Sequence, residues 1–168
     1  PNFGLRSALK RRGLGLLVVG FLLAWLGLFL YSVLAATLLP GGSEAVFVGL
    51  LVAQPEHAVW LWVTATAGNT LGALITFAMG GLLARSRANE APEWALKWPW
   101  LRFFLLSTKA VDQLHHHGPW LLLLSWVPLI GDGFCLAAGY LGWPKVRSFG
   151  LILLGKSARY GVLWYLVA

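Results

Sequence analysis

The chain has 168 residues, 58% hydrophobic and 11% charged, and its 13 basic and 6 acidic residues give a formal charge of +7; its mean hydropathy is +0.73. A soluble domain carries about a quarter charged residues, so this chain has too little polar surface to face water. Excess positive charge suits nucleic acid or an anionic membrane, and the hydropathy excludes the first in favour of the second; the single cysteine, Cys135, excludes an intrachain disulfide.

The chain opens on Arg6, Lys10, Arg11 and Arg12, and no further charge appears before Glu44. A secretory signal has an apolar core of about 7–15 residues, so this longer run reads as a retained anchor. Gly13–Tyr31 supplies a first span, and residues 1–30 form a basic N-terminus with its transmembrane helix. Residues 31–84 follow as one unit. Ser32–Leu39 and Ala45–Ala53 flank Pro40-Gly41-Gly42-Ser43-Glu44, where proline and paired glycines break the helix. Each flank is too short to cross alone, so the pair reads as a re-entrant hairpin with its tip at Pro40, Gly41, Gly42 and Ser43. Broken backbone at membrane depth requires surrounding protein or a polar cavity. Gln54-Pro55-Glu56-His57 is a short loop, and Ala58–Ala84 is an uncharged span.

Residues 85–117 form a basic connection. Trp94, Trp98, Trp100, Phe103 and Phe104 are interspersed with Lys97 and Arg102, the pattern of an interfacial helix. Residues 118–168 repeat the earlier plan. Gly118–Trp143 is an apolar segment broken at Pro128-Leu129-Ile130-Gly131-Asp132, and Ser148–Ala168 is a last span carrying Lys156 and Arg159. Orientation follows the basic residues: 6–12, 85–109 and 145–147 cytoplasmic, with Gln54–His57 outside. These sides agree when both broken segments are hairpins, the first opening outward and the second to the cytoplasm.

The two halves superimpose in spacing. Glu44 follows Pro40 by four residues and Asp132 follows Pro128 by four; Gly68-Asn69 and Gly155-Lys156 fall at matching places in the helix after each hairpin. The expected fold is an all-α integral membrane protein with one domain, an inverted repeat of two opposed re-entrant hairpins plus about three transmembrane helices. Inverted repeats with broken helices are a transporter signature whose site lies near the midplane.

Charge inside apolar segments is costly, about 2.5–3.5 kcal/mol per residue on insertion scales. Glu44, Asp132, Lys156 and Arg159 lie there, two acids and two bases. Lys156 and Arg159 share a helix face, and the Arg fork suits phosphate. The plain structural reading has Asp132 pairing with Arg159 to lock the second hairpin, while Glu44 has to find a cation or water from the other half. Gly68 and Gly72 form a GxxxG pair for close helix packing. His115-His116-His117 cannot all face one ion on a helix, Ser43 has no convincing histidine partner, and lipid-phosphatase signatures are absent. No metal, cofactor or enzymatic activity is therefore expected.

Ala35-Ala36-Thr37-Leu38-Leu39-Pro40-Gly41-Gly42-Ser43-Glu44 resembles the YqaA-type branch of the DedA, or VTT-domain, superfamily. So do Thr64–Gly72, Leu123–Asp132 and Gly155–Tyr160, in order. The resemblance covers about residues 31–85 and 109–168. It implies two facing re-entrant hairpins and transport of phospholipid or undecaprenyl phosphate as a flippase or scramblase, proton-coupled in some members; the expected location is the inner (plasma) membrane, multi-pass, with the N-terminus cytoplasmic by its basic residues. The family's embedded acids map onto Glu44 and Asp132 and its bases onto Lys156 and Arg159, with Asn69 and Gly155 on the lining helices. The larger branch carries an Arg beside the second hairpin's proline, where this chain has Val127-Pro128. The alternative is a structural or assembly membrane protein that binds lipid without moving it. The sequence leaves homo-oligomerisation open.

Overall fold

The computed structural model describes residues 19–20, 22–36, 42–85, 118–127 and 130–168. Its elements are all helical: α1 (Leu22–Ala36), α2 (Ser43–Ala53), α3 (Ala58–Arg85), α4 (Ile130–Tyr140) and α5 (Lys145–Val167). A short 3₁₀ turn at Pro55–His57 joins α2 to α3, and a 3₁₀ segment over Gly118–Trp126 precedes α4. The Trp-rich connection and the residues Pro40, Gly41 and Pro128 lie outside the described residues.

α3 is the axis of the bundle. Its 28 residues extend about 42 Å at 1.5 Å per residue. Together with the preceding turn it is the one helix among the described residues long and apolar enough to cross a membrane. α5 has the length to cross, about 34 Å for 23 residues. Lys145, Arg147, Lys156 and Arg159 make it less apolar.

Glycine sets the spacing along α3. A Cβ on Gly68 would lie 2.6 Å from the Phe29 carbonyl oxygen, and one on Gly72 would lie 2.5 Å from that of Val33. Thr76 Oγ1 donates to the Ala36 carbonyl at 3.1 Å. These contacts advance together along both chains, so α1 and α3 run parallel. On the other side, Gly80 meets the Leu136 carbonyl and Gly139 meets that of Phe77, leaving no room for a Cβ on either. Small residues allow such backbone approach in apolar surroundings, where packing holds helices together without a hydrophobic driving force.

The helices form two antiparallel pairs. α2 returns beside α1, with Phe47 and Leu51 packed around Leu28, and its far end reaches the Trp25–His57 ring contact. The 118–126 segment and α4 make the second pair. Arg147 stacks on Trp120 at its base, and a Cβ on Gly131 would overlap the Ser125 carbonyl. The base of the first pair lies at the N-terminal end of α3, and that of the second at its C-terminal end.

One expected boundary moves. α1 runs unbroken through Tyr31–Ser32, where a first span was expected to end and a hairpin arm to begin. No proline or glycine follows Gly27 before Ala36, and Ser32 is fully buried, so nothing there stops a helix. The expected arm is therefore the end of α1 itself. Because Trp25 touches His57, the start of α1 and the Gln54–His57 turn share one end of the bundle. The basic residues 6–12, on which the expected cytoplasmic N-terminus rests, lie outside the described residues.

Replacing Gly139 with Ala forces α4 from α3 and should destabilise the protein by about 1–3 kcal/mol, as overpacking does. Gly150→Ala meets nothing within 4 Å and should be neutral or stabilising by up to about 1 kcal/mol. Thermal unfolding in one detergent checks both.

Candidate functional site

Both acids occupy equivalent local positions. Glu44 lies in the first turn of α2 and Asp132 in the first turn of α4. A helix start carries partial positive charge and uncapped N–H groups, which favours a carboxylate there. Gly42 caps α2 with φ of 102°, a left-handed conformation natural to glycine. A Cβ there would also lie 2.6 Å from Tyr31 Oη. The turn lets Glu44 Oε2 reach back and accept the Gly42 N–H at 2.9 Å.

Both bases come from the middle of α5. Lys156 is fully buried, and its Nζ donates to Asp132 Oδ1 at 2.6 Å. Arg159, one turn further on, forms an ion pair with Glu44. The pairing therefore differs from the plain expectation: Asp132 holds Lys156, and Arg159 crosses to the acid of the other half. Geometry decides this. α2 and α4 approach α5 from opposite ends, and their first turns arrive at neighbouring turns of that helix. The four charges make two pairs, so no single cleft presents both cations to a ligand in this arrangement.

Beside the crossing pair lies a buried polar junction. Asn69 Nδ2 donates to Tyr160 Oη at 2.9 Å, and Tyr160 Oη donates to Ser43 Oγ at 2.9 Å. Phe47 packs edge-on to Tyr160, with ring centroids 5.1 Å apart. Ser43 precedes Glu44 and Tyr160 follows Arg159, so the junction fixes the backbone on both sides of the ion pair. Tyr160 was not among the expected site residues, although it is adjacent to Arg159 in sequence. Asn69 and Ser43 were, and the structure joins them through it. In the second half Gly155 admits the Ser125 side chain, and Ser125 Oγ donates to the Ile152 carbonyl at 3.5 Å. Ser125, another residue not expected here, is the one polar side chain in Leu121–Val127. The described residues hold no cluster of His, Cys, Asp and Glu fit for a metal.

A buried ion pair is costly to break from one side, by about 3–5 kcal/mol, because the remaining charge is stranded. Glu44→Gln and Arg159→Gln should each lower the melting temperature in detergent. The double variant should be more stable than the sum of the single losses implies, with a coupling of about 0.5–3 kcal/mol. Glu44→Gln keeps an acceptor for the Gly42 N–H and should be the milder single change.

No protein-family profile matches the chain, and no solved structure matches it. Curated relatives do. An uncharacterized protein of Haemophilus influenzae is 37% identical over 146 residues, covering 83% of this chain and 84% of its own length. Inner membrane protein YqaA of Escherichia coli is 35% identical over 154 residues, covering 85% of this chain and 96% of its own, and its namesake in Shigella flexneri matches equally. At that identity and coverage, the apolar helical bundle built around α3 belongs to the YqaA family of inner membrane proteins.

Proposed function

We propose that this protein is a membrane lipid transporter of DedA type, a flippase or scramblase that moves the head group of a phospholipid or polyprenyl phosphate across the bilayer through the Glu44–Arg159 and Asp132–Lys156 region. The observation that carries the reading is the pairing of Glu44 with Arg159 between the two halves, at the middle of a predominantly apolar bundle. α2 and α4 have 11 residues each, about 16 Å of helix. A hydrocarbon core is about 30 Å thick. Helices that short, with their charged first turns at mid-length of α3 and α5, fit hairpins that enter the bilayer and return. Arg85, Lys145 and Arg147 cluster at the C-terminal end of α3, and that basic bias supports a cytoplasmic side there.

The chemistry is an exchange of anions. With all four groups ionised the site is neutral and has little net attraction for phosphate. Protonation of Glu44 releases Arg159, and protonation of Asp132 releases Lys156. A phosphate head group then replaces the lost carboxylate charge while its chains stay in lipid. Arg offers phosphate a planar two-pronged donor, and Lys a point charge.

Purified protein in liposomes should speed head-group exchange between leaflets, with a rate that depends on pH. Glu44→Gln should flatten that dependence, and Asp132→Asn should do so if the second pair is the coupling site. If both variants keep the wild-type pH profile, proton exchange is wrong and passive scrambling is the better account. If wild-type protein accelerates exchange of no anionic or zwitterionic lipid, transport itself is wrong.

A second reading has its own support. Each embedded charge already has a partner, as a purely structural, lipid-binding assembly protein would require. Every charge-removing variant would then lose function only as it loses stability. The transport reading expects at least one that stays folded and inactive.

A further inference from the structure

At the C-terminal end of α3, away from the four paired charges, lies a cavity of about 720 Å³ between α3, α4 and α5. Leu74, Phe77 and Leu82 line its α3 side, and Arg85, Lys145 and Ser148 also face it. Among the described residues neither Arg85 nor Lys145 has an acidic partner. α5 begins here behind Pro144, and no side chain caps it. Its first-turn N–H groups are therefore free for an anion. Ser148 supplies an independent sign. It is 1% exposed, it lines the cavity, and its Oγ has no hydrogen-bond partner among the described residues. Most buried hydroxyls are satisfied; of the orphaned ones here, on Ser32, Thr66, Thr70 and Ser148, only that of Ser148 lines this cavity, beside Arg85 and Lys145, where an anion or water would supply the missing partner.

We propose that this cavity binds a phosphate group carried on a lipid. Arg85, Lys145, the start of α5 and Ser148 Oγ take the phosphate oxygens, and the α3 wall takes the upper part of a chain. The choice of lipid over free phosphate rests on that wall. Leu74, Phe77 and Leu82 are useless to an inorganic ion, and Leu82 is 63% exposed, which opens the cavity sideways toward hydrocarbon. Cations at a helix end sit where anionic head groups concentrate. The site is independent of transport: a protein that moved no lipid would still hold it.

The test is native mass spectrometry of the full chain released from detergent micelles, with dioctanoyl phosphatidic acid, dioctanoyl phosphatidylcholine and inorganic phosphate as probes. Phosphatidic acid should bind about tenfold tighter than phosphatidylcholine, the scale of hydrogen bonds to a charged group. Arg85→Gln with Lys145→Gln should remove that preference, weakening phosphatidic acid more than phosphatidylcholine, whose phosphodiester carries less negative charge and fewer free oxygens; both side chains are exposed, so folding is not at stake. Ser148→Ala should weaken phosphatidic acid about threefold or more without lowering the melting temperature, because no existing hydrogen bond is lost. Unchanged affinity in these variants overturns the site. Displacement by inorganic phosphate at equal concentration overturns the lipid assignment and gives the site to free phosphate. None of the substitutions touches Glu44, Asp132, Lys156 or Arg159, so failure here leaves the transport reading standing.

Discussion

A charge cannot stand alone in the interior of an apolar bundle, and the arrangement of this protein follows from that constraint. Even after relaxation, burying one ion costs several kcal/mol, and only a close partner with further hydrogen bonds offsets it. The two acids begin the two short helices, and the two bases lie one turn apart on α5. Satisfying Lys156 brings the start of α4 to α5; satisfying Arg159 brings the start of α2 there. The Asn69–Tyr160–Ser43 junction then ties α3 into the same place. Glycines on α3 and α4 let the backbones come close enough for these reaches.

On the proposed transport reading, the same pairs would give the bundle a means of responding. An ion pair in a low-dielectric interior is strong only while both members stay charged, and its loss leaves a cation that requires another anion. A carboxylate and a phosphate are alternative partners for one guanidinium. The pair that crosses between the halves is the one whose exchange would loosen one half from the other. The Lys156–Asp132 pair lies within the second half and holds it together. Glu44 has 24% of its side chain exposed against 15% for Asp132, so Glu44 is the more accessible of the two acids.

Much of this was legible in the sequence. The four charges stood out because everything around them is apolar, and the matched spacing after Pro40 and Pro128 placed both acids at comparable positions. Gly68 and Gly72 announced a close helix contact, and the contact is with α1. Partner choice was not legible. Lys156 and Arg159 are equally plausible for either acid along the chain, and only the opposed approach of α2 and α4 assigns them. The end of the first span was also hidden, since composition alone does not mark a boundary within a helix that has no breaker near Ser32. Tyr160 was overlooked because a tyrosine in an apolar span reads as packing until its hydroxyl is seen between Asn69 and Ser43.

On the proposed transport reading, a head group passes at the pair that joins the halves. The most direct measurement of this is leaflet exchange of a labelled phospholipid in liposomes containing the Glu44→Gln/Arg159→Gln double variant, first shown to be folded by its melting transition. Removing both charges together leaves no stranded ion, so this variant separates function from stability. The expected result is a folded protein with exchange reduced to the protein-free rate. Exchange at the wild-type rate in the folded double variant would contradict it and leave the pair as a structural link alone.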